Sequence, residues 1–369
     1  MARHLADAAN RRDVKGLIEA YAEDAVAVSP VFGELRGRSA IAETWERILA
    51  TFEDLIVEVP DVLVDGDRIA AFGIVTATDQ GGLFGVPSVG ARIQYRLVLL
   101  ITVRDGKIIR DERLYDSSGV FERVQKARLD KELRTAADVQ RALFARPRLR
   151  SAFCEVVGHS VPSRAIGGDF FECIELASGD IAVAMGDVSG KGPAAALLAA
   201  LVQGMLLVES SAGVAPSRIV TRLNERLVDR GLHSRFVTFF YGILSADGHF
   251  SYVNAGHNAP VLLTHAATRR LSIGGPPLGL FAEARFDEGA IQLDSGDTLV
   301  MFTDGVTEAR NGRDEELGEA RLLAALGRRS PPALVDDVFH AVQRFADDAE
   351  QSDDITVAVL RYGHNGAAT

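Results

Sequence analysis

The chain has little cysteine, no basic excess and no long unbroken apolar run. Its two cysteines, Cys154 and Cys173, cannot build a disulfide framework. That excludes a disulfide-stapled scaffold and points to a reducing, cytoplasmic setting. Lysine and arginine number 40 against 51 aspartates and glutamates, a formal net charge of −11. Nucleic acid and membrane are therefore not expected partners, because both are held by a cationic surface. Met1 to Asn10 contains no apolar run long enough for a signal-peptide core. The most apolar stretch, Pro193 to Val208, is short for a bilayer and is interrupted by Gln203 and Gly204. It is expected to form a buried helix.

What the chain does have is ample core material. It is 47% hydrophobic and 25% charged over 369 residues, which suits two or three globular domains. Charge divides it further: the net is −5 over residues 1–118, +5 over 119–150 and −11 over 151–369. The organisation expected is a first domain at 1–118, a helical linker at 119–149, a second domain at 150–362 and a disordered tail at 363–369.

The first segment opens with a helical pattern from Leu5 through Tyr21. A second helix is expected over Ser39 to Phe52, with Ser39 as N-cap and Ile41, Trp45, Ile48 and Leu49 on one face. The period then changes toward two, giving strands at 56–59, 61–64, 69–77, 93–103 and 108–115. Asp65-Gly66-Asp67 and Asp105-Gly106-Lys107 are hairpin turns. Helices followed by an antiparallel meander make an α+β domain. The segment Val120 to Arg146 lacks glycine and proline and predicts one long helix, ended by Pro147. Leu129, Leu133, Ala136, Gln140 and Leu143 follow a heptad seam. Self-association and packing on the second domain both account for it.

Residues 1–118 resemble the SnoaL-like, cone-shaped α+β family. The matching residues are 20–26, Arg36-Gly37-Arg38, Asp105-Gly106-Lys107-Ile108 and Arg113-Leu114-Tyr115-Asp116. The resemblance implies a curved sheet around an apolar cavity, often in a dimer. An enzymatic member would use Asp116 or Asp111 as acid/base; ordinary surface carboxylates after a strand are the competing reading.

The last segment carries four acidic motifs: Gly167-Gly168-Asp169-Phe170, Gly186-Asp187-Val188-Ser189-Gly190-Lys191-Gly192, Thr303-Asp304-Gly305-Val306 and Ser352-Asp353-Asp354-Ile355-Thr356. Each sets an aspartate at the boundary of an apolar strand, where an unpaired carboxylate is costly to bury. Four such edges suggest convergence on a cation, and all-oxygen donors favour Mg²⁺ or Mn²⁺ over Zn²⁺.

Residues 150–362 resemble the metal-dependent serine/threonine protein phosphatases (PPM), in the bacterial branch of RsbU and sporulation stage II protein E. Beyond the acidic motifs, the resemblance rests on Phe236 to Gly242, Asn254-Ala255-Gly256-His257-Asn258 and Pro276-Pro277-Leu278-Gly279. It implies two packed sheets flanked by helices, and hence α+β architecture for the whole chain. It also implies two metal ions held by Asp187, the Val188 carbonyl, Asp169, Asp304 and Asp353, with a metal-activated water as nucleophile. Asp354 is implied as outer support. Lys191 is either a phosphate contact or a solvated charge, and His257 either chemistry or a structural turn residue. Val188-Ser189-Gly190 offers no histidine where eukaryotic members carry a general acid, so that role is unassigned. The expected substrate is a phosphoserine or phosphothreonine on a STAS-domain anti-anti-sigma protein. The first domain is expected to bind a small molecule or to dimerise, and to act through the linker.

Two rivals are weaker. A P-loop needs four residues between its glycines, whereas Gly186 and Gly190 enclose three. A catalytically silent scaffold, with the SnoaL-like domain as the active enzyme, conflicts with the presence of all four ligand-type aspartates.

Overall fold

The computed structural model describes the chain except residues 81–87, 89, 91, 145–147, 211–213, 232–234 and 364–369. It divides into two units, Met1–Leu133 and Arg134–Thr369.

The first unit begins with α1 (Ala2–Asn10) and α2 (Val14–Glu19). These replace the single helix expected over Leu5–Tyr21. The chain breaks at Arg12, in the left-handed region at φ 59°, and Asp13 restarts it by accepting from the Gly16 N–H at 2.8 Å. Then come β1 (Tyr21–Ser29), β2 (Gly33–Arg36), α3 (Arg38–Thr51), β3 (Ile56–Asp65), β4 (Arg68–Thr78), β5 (Arg92–Arg104) and β6 (Lys107–Leu114). The N-cap of α3 is Gly37, not Ser39. β3 joins the two expected strands 56–59 and 61–64 through a bulge between Glu58 and Asp61. The sheet order is β2-β1-β6-β5-β4-β3, with β3 to β6 an antiparallel meander and β1 parallel to β6. β1 and β2 have no counterpart in the periodicity reading. Both expected hairpins form, with Gly66 at φ 57° and Gly106 at φ 74°.

The boundary between the units falls inside α4 (Ser117–Leu143). Asp116 initiates this helix through the Gly119 N–H at 2.8 Å, so it starts three residues before the expected Val120 and includes a glycine. Its expected end at Pro147 lies outside the described residues. Leu129 and Leu143 of the heptad seam are each 56% exposed.

The second unit runs through β7 (Arg148–Arg150), β8 (Cys154–Val161), β9 (Phe170–Glu175), β10 (Ile181–Val188), α5 (Pro193–Ser210), α6 (Pro216–Asp229), β11 (Val237–Leu244) and β12 (His249–Ala255). It continues with β13 (Val261–Leu263), β14 (Thr268–Arg270), β15 (Gly274–Gly275), β16 (Gly289–Gln292), β17 (Thr298–Phe302), α7 (Asp304–Thr307), α8 (Gly318–Ala325), α9 (Pro331–Ala346) and β18 (Ile355–Tyr362). One sheet has the order β15-β12-β11-β10-β9, with β16 on β12; the other is β14-β13-β17-β18-β8-β7.

Strand alternation explains the layering. On β10, Ala182, Ala184 and Val188 face α5 and α6, whereas Ile181, Val183 and Met185 face the second sheet. On β17, Leu299 and Met301 meet that inter-sheet core, and Val300 and Phe302 pack toward α8 and α9. The result is a four-layer α-β-β-α sandwich, as the PPM resemblance implies. Both cysteines are buried between the sheets and form no disulfide.

α5 departs from the buried helix expected of it. It is long and apolar enough to cross a membrane by length and composition alone, and half of its apolar window is buried. Leu198, Val202 and Leu206 enter the core, while Leu197 and Val208 are 73% and 69% exposed.

Candidate metal centre

Four chain-distant segments supply the acidic groups. Asp169 immediately precedes β9, Asp187 is the penultimate residue of β10, Asp304 opens α7 after β17, and Asp353 and Asp354 precede β18. The glycines beside them permit close approach. A Cβ on Gly305 would sit 2.0 Å from the Asp354 carbonyl oxygen, and one on Gly167 would sit 2.6 Å from Asp354 Oδ2.

Asp354 is the brace of this arrangement. Its Oδ1 accepts from the Ser163 backbone N–H at 2.7 Å and from the Ser163 hydroxyl at 3.0 Å, and its Oδ2 accepts from the Gly168 N–H at 2.7 Å. It therefore fixes the loop that delivers Asp169. Asp169 is itself 5% exposed, and its Oδ2 accepts from the Thr303 and Thr356 hydroxyls at 2.7 and 2.8 Å.

Electrostatics mark these carboxylates as a mutually repelling set. Burial, followed by the charges of Asp304 and Asp353, pushes Asp187 up to about 7. Burial and then Asp187 hold Asp169 well above the usual carboxylate range. Burial, Glu308 and Asp353 raise Asp304 as well. One cation already sits among them: Lys191 Nζ lies 2.9 Å from Asp353 Oδ2 and also donates to the Ser352 carbonyl.

The donor chemistry fits a hard divalent cation. Among the described residues, however, no three His, Cys, Asp or Glu side chains are gathered into a metal-holding group. Asp169 is turned to two hydroxyls and Asp353 to an ammonium.

His257 lies apart in role. Its Nδ1 pairs with the Thr238 hydroxyl at 2.9 Å, and its backbone N–H donates to Asn254 Oδ1 at 2.7 Å. Burial lowers its pKa to about 4, only partly offset by a Phe302 backbone group, so the ring is neutral at ordinary pH.

Four contributors escaped the sequence reading. Thr303 and Thr356 anchor Asp169, and Arg235 Nη1 donates to the Ser189 carbonyl at 2.9 Å, pinning the loop after Asp187. The fourth is Gln140, near the end of α4. Its Nε2 donates to the Gly167 carbonyl at 2.7 Å and its Oε1 accepts from the Gly167 N–H at 3.1 Å, two residues before Asp169. Phe144 lies against Phe170 with ring centroids 6.4 Å apart.

The fold of the second unit is similar to that of a solved PP2C-type phosphatase domain. The chain belongs to the family of stage II sporulation protein E, whose model matches residues 177–363, and a SnoaL-like domain matches residues 2–111. The phosphoserine phosphatase RsbU of Bacillus subtilis (strain 168) is 27% identical over 281 residues, covering 74% of this chain and 82% of RsbU. Protein IcfG of Synechocystis is 27% identical over 232 residues, and the match covers 54% of this chain but only 37% of IcfG. Among solved structures, the RsbU and RsbW domains of a Mycobacterium tuberculosis protein align with TM-score 0.50 and 27% identity, over 57% of this chain and 60% of that one. The SiaA PP2C domain of Pseudomonas aeruginosa aligns with TM-score 0.55 at 18% identity, over 64% and 98%, a likeness of fold.

Proposed function

We propose that the chain is a regulatory protein phosphatase that hydrolyses phosphoserine or phosphothreonine, dependent on two Mn²⁺ or Mg²⁺ ions. The supporting observation is that Asp169, Asp187, Asp304 and Asp353 come from four distant segments and act on one another electrostatically: burial first, then the charges of Asp304 and Asp353, push Asp187 up to about 7. Asp187, the Val188 carbonyl, Asp169, Asp304 and Asp353 are the groups that would hold the ions. When bound, such ions supply an activated water and neutralise phosphoryl oxygens. Asp354 holds the Asp169 loop in place through Ser163 and Gly168. His257 is committed to Thr238 and neutral, so it is assigned a structural role.

The substrate is assigned as a phosphorylated STAS-domain protein. Similarity to a phosphoserine phosphatase, and to a chain that joins an RsbU to an RsbW domain, supports this class. The N-terminal unit is assigned as regulator, acting through α4, whose Gln140 grips Gly167. The exposed seam residues of α4 suit a homodimer.

The test is hydrolysis of a phosphoserine peptide with Mn²⁺. Asp187→Asn is expected to lower kcat by at least about 10²-fold, on the scale seen when a single transition-state contact is removed, with an unchanged unfolding transition. Equal rates with Mn²⁺ and with EDTA would refute the assignment.

A further inference from the structure

The N-terminal unit encloses a cavity of about 130 Å³, close to the roughly 150 Å³ at which an engineered apolar cavity accepts benzene. Phe52, Val75, Ile93 and Leu97 are among its apolar walls. Its one charged pair is Asp111 and Arg113, both on β6.

Asp111 is fully buried, not the surface carboxylate of one sequence reading. It accepts the Tyr21 hydroxyl and two guanidinium N–H groups of Arg113, at 3.2 and 3.0 Å. Burial works against the Arg113 charge, but Asp111 and Tyr21 outweigh it and hold the guanidinium above its ordinary value. The same guanidinium lies over the Trp45 ring, 5.0 Å from its centroid. Burial and Asp111 likewise hold the Tyr21 hydroxyl in its neutral form. The pair is thus locally neutral, and Asp111, already accepting from three donors, is not free to serve as a general base. An anionic ligand would set a second buried negative charge beside Asp111 against the single cation Arg113.

One polar group remains open. Trp45 lines the cavity, and its Nε1–H is buried without a hydrogen-bond partner among the described residues. A buried donor without an acceptor is costly, and a ligand oxygen would relieve it.

We propose that this cavity binds an uncharged, planar apolar molecule with one carbonyl-type acceptor directed at Trp45 Nε1, and holds it without transforming it. The site stands on the N-terminal unit alone, so the phosphatase assignment can fail without touching it.

Fluorine NMR on the full chain tests this with three isosteric probes: 4-fluoroacetophenone, 4-fluoroethylbenzene and 4-fluorobenzoate. The ketone should bind most tightly, the hydrocarbon more weakly and the carboxylate not at all. Trp45→Phe should weaken the ketone by about five- to tenfold, the scale of one hydrogen bond, and leave the hydrocarbon unchanged. Val75→Phe, which fills the cavity, should abolish both without lowering the melting temperature. Tightest binding by the carboxylate, no binding by any probe, a new fluorine signal growing with time, or full ketone affinity in Val75→Phe would each overturn the proposal.

Discussion

Lys191 and Asp353 form an ion pair whose two side chains are each about one-third exposed, at 35% and 37%. Half-exposed pairs contribute little, roughly 0.2–1 kcal/mol. Yet this ammonium sits where a divalent cation must compete for the same carboxylate. Lys191→Ala is expected to tighten Mn²⁺ binding by about two- to fivefold, measured by titration calorimetry. Unchanged metal affinity with a raised KM would instead assign the lysine to the substrate phosphate. His257 makes a separate prediction about stability. Its folded pKa of about 4 lies below the ordinary 6.5, so the unfolded chain takes up the proton first as pH falls. The stability it confers is complete above about pH 6.5 and is lost between there and pH 4. Between pH 7 and pH 5 the native protein should therefore lose about 2 kcal/mol more than His257→Gln in urea unfolding. Equal losses would show that the ring titrates as in water. These residues differ in how visible they are in the sequence. The aspartates stand out because each interrupts an apolar strand boundary beside a glycine or a second acid. Thr303 and Thr356 reach Asp169 across separations of 134 and 187 residues, and a hydroxyl at a strand end carries no local pattern that betrays it.

At the scale of the element, α4 shows where periodicity informs and where it misleads. Its length is legible because a long run rich in Ala, Leu, Arg and Glu holds the helical pattern through 27 residues. The seam position Gln140 is polar, which in a heptad reads as a defect, but its amide spans both backbone groups of Gly167. Removing that amide should loosen the Asp169 loop while leaving the core intact. Gln140→Ala is expected to raise the Mn²⁺ concentration for half-maximal activity by about three- to tenfold, from the loss of two modest hydrogen bonds. Thermal unfolding of the metal-free protein should move little. A large drop in melting temperature without a change in metal dependence would make Gln140 merely a structural tie. The N-terminal helices show the opposite case. The apolar spacing from Leu5 to Tyr21 fits one helix, but Arg12 in a left-handed conformation and the Asp13 cap cut it in two. β1 goes undetected because its burial is decided by pairing with β6, some 80 residues away, not by a clean local alternation.

For the whole molecule, the net charge of −11 over residues 151–369 and +5 over 119–150 describes an acidic catalytic segment reached through a basic connector. That connector carries two features on one helix. Gln140 is bound to the catalytic loop, while Leu129 and Leu143 remain 56% exposed and Val139 58%. Apolar side chains repeated along a helix and left in water are stabilised by a second copy of the same helix. If two copies pair there, the register of the seam fixes the rotation of the turn that carries Gln140, and so the setting of Gly167 and Asp169. Dimerisation and metal-site geometry would then be one equilibrium read at two places. Leu129→Asp and Leu143→Asp alter exposed positions, so the fold should survive both. Sedimentation velocity should show a dimer for the native chain and a monomer for the double variant, and the variant's Mn²⁺ dependence should shift with its oligomeric state. A native monomer, or a dimer lost without any change in metal dependence, would separate the seam from the catalytic loop and leave Gln140 acting on its own.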